Sequence, residues 1–585
     1  MLRIIIAGYL GNTKQKNPLT CKLFARYVVC GSNIMEMDMA YYIGVDVGTA
    51  SVRAALVCEK GSILETSEEP IIVWNQQPSF YEQSSENIWK AVITVVNDVM
   101  SQSKISPDQV KGLGFDATCS LVALDSDFKP ISCSLSGKAD CNIIMWMDHR
   151  AEDQAQRINA TKHSVLRYVG GTMSLEMQPP KLLWLKERLP AQWNKMANLF
   201  DLPDYLTWRA TDSQTRSLCS LVCKWGYEAQ TADKHGWNDE FLAAAGLEEL
   251  SLNGHCRIGQ QALYPGECCG SGLTALAAKE LGLVQGTPVG ASLIDAHAGG
   301  MACLACVPAS LPFQMPPLTS RLVLVCGTST CHMMVSNSPI FVPGVWGPYF
   351  SAMMPKLWAS EGGQSATGKL IDFMVENHPA YLAAKSAAEE RNIHLYEYLN
   401  TMLEHQAHLK GVTVAHLTAD LHVYPDFHGN RSPLADPSMK GMICGLTLSV
   451  DVDNLAIVYL STIQALTYGT KHIISEMRNS GHNIQLLYLC GGLRKNRLFV
   501  QTHADVLGLP VILPDTKESV LLGAAILGAC ASGNFKSIQD AMLTMGGGGT
   551  VILPREDEKR YHENKYKVHI RMLADQKAYR DIMKD

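Results

Sequence analysis

A chain of 585 residues with 47% hydrophobic content is long enough for two large cores, because single cores rarely grow past about 250 to 300 residues. The net charge of −6 and the lack of any long Lys/Arg run exclude an electrostatic footprint for nucleic acid or anionic lipid and leave a small molecule as the expected partner. Eighteen cysteines, scattered through apolar stretches such as Leu324-Val325-Cys326 and Leu489-Cys490-Gly491, read as reduced thiols packed as small hydrophobes in a cytoplasmic setting.

The first 35 residues carry Arg3, Lys14, Lys16, Lys22 and Arg26 and no acidic residue, a faint transit-peptide pattern. The plainer reading is a disordered N-terminal extension over 1–39, with Met37 or Met39 as a second start. From Tyr41, YYIGVDVGTASVRAALV gives two apolar runs around a Gly/Thr/Ala/Ser turn, the pattern of a β-hairpin. About 280 residues later RLVLVCGTSTCHMMV repeats it, with Gly327-Thr328-Ser329 where the first copy has Gly48-Thr49. Such turns suit phosphate, since glycine admits close approach and successive N–H groups form an anion-binding concavity. Neither is a Walker loop, because a strand rather than a helix follows the glycine. Asp46, two residues before Gly48, offers the oxygen that Mg²⁺ on a phosphate needs. An ordinary hairpin turn explains either copy alone; two matched copies suggest duplicated lobes.

Between the hairpins, carboxylates interrupt apolar runs: Asp116 in LGFDATCSLVAL, Asp148 beside Arg150 in IIMWMDHR, and Asp204 in FDLPDYLTWRATD. Together they suit polyol recognition, and singly each is as well explained by a cap or an ion pair. In TPVGASLIDAHAGG a buried-type strand stops at Asp295, a candidate base that would orient an alcohol and take its proton; a helix N-cap is the plain alternative. Residues 298–320 carry no charge, but Pro308, Pro312, Pro316 and Pro317 rule out a membrane helix and indicate a surface loop. Cys303 and Cys306 have CxxC spacing without the second pair that a zinc site of that type requires.

In WASEGGQSATGKLIDF, Glu361 precedes Gly362-Gly363-Gln364 at the expected mouth of a helix. LLYLCGGLRKNRLFVQTHADVLGLPVILP reads as a βαβ unit: a strand over 486–489, a turn at Gly491-Gly492, a helix over 495–507 and a strand over 511–513. It lacks the third glycine and the later acidic residue of a dinucleotide fingerprint, so a nucleoside seated on Gly491-Gly492, with Asn496 at the helix start, is the functional reading and tight helix packing the plain one. The small residues Gly523, Ala524, Ala525, Gly528 and Ala529 permit close helix packing.

These residues resemble the FGGY carbohydrate kinase family from about Tyr41 to Pro554. Asp46-Val47-Gly48-Thr49 is similar to its first phosphate loop, Trp146, Asp148 and Arg150 to its W-x-D-x-R element, and Pro179 through Leu185 to its P-x-x-K-x-x-W type of helix. Asp295 through Gly299 match its D-x-x-A-G aspartate, Gly327-Thr328-Ser329 its second phosphate loop, and Gly429 through Pro433 its G-x-R-x-P loop. FDATCS, EGGQSATG and DFHGNRSPLADP resemble the ribulokinase-like branch.

The resemblance implies an α/β fold of two actin-like, ribonuclease H-like ATPase lobes around a central cleft, over 40–300 and 301–555, with a helical tail over 556–585. It implies transfer of the ATP γ-phosphate to a terminal hydroxyl of a ketopentose, D-ribulose to D-ribulose 5-phosphate, with Asp295 as base and Ala117, Asp204, Asp295 and Glu361 at the sugar. ATP would meet Gly48, Thr49, Gly327, Thr328, Ser329, Gly363, Gln364, Gly491, Gly492 and Asn496, and Mg²⁺ would meet Asp46. The expected partners are sugar and ATP, with no nucleic acid or membrane and with room for a homodimer. Xylulose, ribitol or glycerol as substrate, a chaperone-like ATPase and a silent scaffold are the rival readings.

Overall fold

The computed structural model describes residues 39–231 and 234–584. Apart from Met39, the expected extension over 1–39 lies outside the described residues.

The first sheet is built from β1 (Tyr41–Val47), β2 (Ser51–Cys58), β3 (Ile63–Pro70), β4 (Val110–Ala117) and β5 (Val289–Ile294), in the order β5-β4-β1-β2-β3. Every residue of β1 is buried, as its unbroken apolar run requires of a strand covered on both faces. β3 alternates between half-buried and exposed, as befits an edge.

The second sheet contains β6 (Arg321–Cys326), β7 (Thr330–Ser336), β8 (Trp346–Phe350), β9 (Trp358–Gln364), β10 (Leu486–Cys490), β11 (Val511–Pro514) and β12 (Gly549–Ile552), ordered β8-β9-β7-β6-β10-β11-β12. Its central run β9-β7-β6-β10-β11 matches β3-β2-β1-β4-β5 strand for strand: two antiparallel pairings, then two parallel ones. Both expected hairpins form, β1–β2 around Gly48 and β6–β7 around Gly327, so the duplication read from the turns is a duplication of sheet topology.

The helices used below are α1 (Gln178–Arg188), α2 (Leu202–Thr211), α3 (Leu218–Lys224), α4 (Asp295–Ala305), α5 (Gly368–Glu376), α6 (Val452–Asn479), α7 (Arg497–Leu507), α8 (Ser519–Ala531) and α9 (Lys559–Ile582). Ile371 of α5, Ile463 of α6 and Phe499 of α7 share one buried cluster with Leu324, Leu487 and Leu489 of the second sheet. Each such side chain contributes about 1.5–3 kcal/mol by leaving water.

α8 behaves differently: it lies on β1, β4 and β5 of the first sheet although in sequence it falls between β11 and β12 of the second. The contact is backbone to backbone. A Cβ on Gly44 would fall 2.2 Å from Leu521 O, on Gly112 2.0 Å from Gly528 O, and on Gly114 2.0 Å from Ala524 O. Glycines on the strands and small residues on the helix are thus two halves of one interface. α4 touches both sheets, reaching β4 and β5 on one side and β6 and β10 on the other.

Two expectations shift. Residues 358–364 form β9, laddered to β7 with Thr330 opposite Gln364, so Glu361 lies within a strand; the helix starts only at Gly368, and the Gly-Gly pair serves the strand. The helix expected from Lys495 begins at Arg497, after a 3₁₀ turn over Gly492–Lys495, because Asn496 caps it through the backbone N–H groups of Leu498 and Phe499. Residues 307–317 are coil with mixed exposure, and no helix among the described residues is long and apolar enough to cross a membrane.

Candidate active site

Three acidic residues come to one edge of the sheet because three parallel strands end together. Asp46 pairs in register with Asp116 across β1 and β4, Ile294 pairs with Ala117 across β5 and β4, and Asp295 follows at once. Strand ends of this kind are where open α/β sheets expose chemistry.

Asp46 is buried, and its Oδ2 accepts from Arg53 Nε at 3.0 Å and from the Arg53 terminal amine; Arg53 also donates to Glu518 at the head of α8, at 2.7 Å. Asp116 is fully buried, and among the described residues no donor lies within hydrogen-bond geometry of either carboxylate oxygen. Burial, Asp46 and Asp295 push its pKa well above the usual carboxylate range. Orphaned carboxylate oxygens beside a second carboxylate fit a site shaped for a hard cation.

Asp295 opens α4, half-buried, with Oδ1 accepting from the Ala296 N–H at 2.6 Å. Burial and Asp46 raise its pKa to about 7, against the pull of that N–H and of Lys224. A carboxylate that titrates near neutrality is suited to accept a proton there.

Glu361 of β9 ion-pairs with Arg431 of the Gly429–Pro433 segment, and its charge adds to the upward push on Asp295. Burial works against its charge, but Arg431 and Lys224 outweigh it and hold its pKa below the ordinary value. Lys224, at the end of α3, is 4% exposed. Burial opposes its charge, yet Cys119, Glu361 and Glu176 raise its pKa. Its Nζ lies 4.5 Å from the centre of the Trp346 ring, and the Arg431 guanidinium 4.0 Å from the same ring. Sequence reading missed Lys224 because LVCKWG resembles an ordinary helix C-terminus with its customary cation.

The remaining candidates divide. Gly48 N–H closes the first turn on Ser51 O at 3.0 Å, and the Thr49 hydroxyl accepts from Trp146 Nε1 at 3.2 Å. Ala117 is buried at the end of β4, beside the acidic group. In the second lobe Gly327 O and Thr328 O accept from the first N–H groups of α5, at 3.0 Å from Gly368 and 2.8 Å from Thr367, which fixes the Gly327-Thr328-Ser329 turn. Gly491, with φ of +83°, approaches so closely that a Cβ would sit 2.3 Å from Cys326 O, while Gly492 faces open space. The two glycine turns are therefore neighbours, as β6 and β10 pair in parallel up to Val325 and Cys490.

Four candidates have their side chains or surroundings occupied within the fold, Asp204 at one of its two carboxylate oxygens only. Asn496 uses its amide as the α7 cap and as donor to Tyr459 Oη at 2.7 Å. Gln364 donates to Leu466 O at 2.8 Å, and Gly363 sits where a Cβ would be 2.8 Å from Arg431 Nε. Asp204 accepts from Ser217 N–H at 2.7 Å at the head of α3, and its charged neighbours are Arg216 and Asp201. Asp148 and Arg150 form a buried network with Glu82, and Lys181 of α1 donates to Met145 O and Trp146 O, which holds the loop that presents Trp146 to Thr49.

Family comparison agrees over most of the chain: the N-terminal domain of the FGGY family of carbohydrate kinases matches residues 41–302, and the C-terminal domain of the same family matches 322–532. This chain is an FGGY carbohydrate kinase. It is 55% identical over 549 residues to an FGGY carbohydrate kinase domain-containing protein of Xenopus laevis, covering 93% of this chain and 98% of that one. To a D-ribulokinase of Saccharomyces cerevisiae it is 40% identical over 522 residues, 86% of this chain and 73% of the other. Its fold is similar to that of a xylulose kinase from Rhodospirillum rubrum, with a TM-score of 0.73 at 20% identity, covering 92% of this kinase and 99% of that one. The kinase is thus an ATP-dependent sugar kinase with two ATPase-like lobes.

Proposed function

We propose that this kinase phosphorylates the terminal hydroxyl of D-ribulose, giving D-ribulose 5-phosphate, with Mg²⁺ beside Asp46 and Asp116. What supports the reading is the charge grouping of Asp295, Glu361 and Lys224: Lys224 pulls the pKa of both carboxyls down, and it lies at the end of α3 against the Trp346 ring. A ketose presents that set with a carbonyl and several hydroxyls, where glycerol has no carbonyl to offer Lys224. The 40% identity to a D-ribulokinase favours the same sugar.

In this reading Asp295 Oδ1 is tied to the Ala296 N–H and Oδ2 accepts the proton of the attacking hydroxyl. Glu361, Lys224 and the Ala117 backbone orient the sugar. Arg431 keeps Glu361 ionised, and Asp204 is a positioning residue that holds the head of the helix bearing Lys224. The turns at Gly48-Thr49 and Gly327-Thr328-Ser329 offer N–H and hydroxyl donors to phosphate, and Gly491-Gly492 leaves room for the nucleoside. Gly363, Gln364 and Asn496 brace these elements. Bound Mg²⁺ would supply charge neutralisation between phosphate oxygens.

A panel of D-ribulose, L-ribulose, D-xylulose, ribitol and glycerol with Mg-ATP, read as ADP release, tests the assignment. D-ribulose should give the highest kcat/KM, and a polyol or glycerol in first place would overturn it.

A further inference from the structure

The one grouping of three or more His, Cys, Asp or Glu donors among the described residues that converges on a common point is not at the phosphate turns. It consists of Cys219 and Cys223 of α3 and His297 of α4, whose ligand atoms all lie within 4.8 Å of one another. The four-residue spacing puts both thiols on one face of the helix. Cys219 is 0% exposed and Cys223 and His297 1% each.

Buried thiols alone are ordinary core. The imidazole is not. Among the described residues His297 Nδ1 has no partner, and Nε2 has only the Cys223 sulfur at 3.6 Å, a weak contact for a ring sealed from water. That separation is close to the edge of a tetrahedron with metal–sulfur bonds of about 2.3 Å and metal–nitrogen bonds of about 2.0–2.1 Å. Burial lowers the His297 pKa to about 4, so the ring is neutral and its lone pair is available.

We propose that Cys219, Cys223 and His297 form a binding site for a thiophilic divalent d¹⁰ cation, zinc being the physiological member of the class. Each thiol gives up its proton as its sulfur binds, and two thiolates cancel the charge of the cation, so the centre is neutral in a dry surrounding. Three protein ligands leave one position open. The site adjoins the sugar pocket without sharing its groups: Cys223 precedes Lys224, and His297 lies two residues after Asp295.

The test uses the full-length protein produced in zinc-depleted, cobalt-supplemented medium and freed of loose metal with a chelator. About one cobalt per chain is expected, with thiolate-to-cobalt charge-transfer absorption in the near ultraviolet that added Zn²⁺ abolishes. Cys219→Ser and Cys223→Ser should each lose the band, while Cys256→Ser and Cys444→Ser, at exposed thiols, keep it. X-ray absorption on the zinc-loaded wild type should count two sulfurs and one imidazole, a readout independent of whether the variants fold. No charge-transfer band in the wild type, a band that survives both α3 substitutions, or a metal shell without sulfur would overturn the site.

Discussion

Asp46 and Asp116 stand opposite one another on neighbouring parallel strands, yet only Asp46 has a cationic partner, Arg53. Asp116 sits beside it with both oxygens bare of donors. A carboxyl in that position contributes little to the stability of the folded chain and gains its partners with the divalent cation. Asp116→Asn should therefore leave thermal stability within about 1 kcal/mol of wild type, since an amide can still donate to Asp46 as the protonated carboxyl does, while raising the Mg²⁺ concentration needed for half-maximal turnover. Unfolding scans and a Mg²⁺ titration check this; a large stability loss with an unchanged Mg²⁺ requirement would make Asp116 structural.

Asp295→Asn removes the proton acceptor but keeps the Oδ1 acceptor for Ala296. Turnover should fall by about 10²–10⁴-fold, with nucleotide affinity unchanged. ADP release and nucleotide binding measured on one preparation separate the two effects.

The same side chain sets a pH dependence. With a pKa raised to about 7, Asp295 is increasingly protonated as pH falls through neutrality, and a protonated carboxyl cannot take the sugar's proton. The kcat/KM for sugar should drop as pH is lowered below about 7 and level off above it. The effect on stability has the opposite sense: a carboxyl whose pKa is raised by folding favours the folded state most below the unfolded value of about 3.9, and that contribution fades as pH rises through about 7. A profile with no acid limb would remove Asp295 from the base role.

Lys224→Met keeps the bulk of the side chain and deletes its ammonium. Loss of charged hydrogen bonds of about 1.5–3 kcal/mol predicts a KM for sugar about 10- to 100-fold higher, with the KM for ATP nearly constant. Steady-state kinetics in each substrate decide it; equal shifts in both would indicate general disruption.

Asp204→Ala distinguishes support from contact. Losing the acceptor for Ser217 N–H should cost about 1–3 kcal/mol of stability, and Asp204→Asn, which retains that acceptor, should keep the wild-type KM for sugar. A large KM change in the Asn variant would return Asp204 to the sugar itself.

The paired hairpins were legible because two apolar runs joined by a Gly-Thr turn fold back on each other more readily than they extend, and Asp295 because a charge that ends a buried strand is conspicuous. Glu361 was legible as a residue but misplaced in structure, since Gly362-Gly363 reads locally as a helix entrance and only the ladder to β7 makes it a strand. Lys224 was not legible, as its burial comes from Trp346, Glu361 and Cys119, which the chain brings from far away. Asn496 was placed correctly at a helix start, but the hydroxyl of Tyr459, which occupies its amide, lies on another helix.

The seat of α8 on β1, β4 and β5 has a consequence for synthesis. The five strands of that sheet are complete at Ile294, but the helix that covers them starts at Ser519, 519 − 294 = 225 residues later. At about 5–20 residues per second, the nascent chain holds a glycine-lined apolar face open for roughly 10 to 45 seconds. A ribosome that stops anywhere in that interval releases a sheet with one face open rather than half a kinase, and it is over this interval that a chaperone has the most to shield.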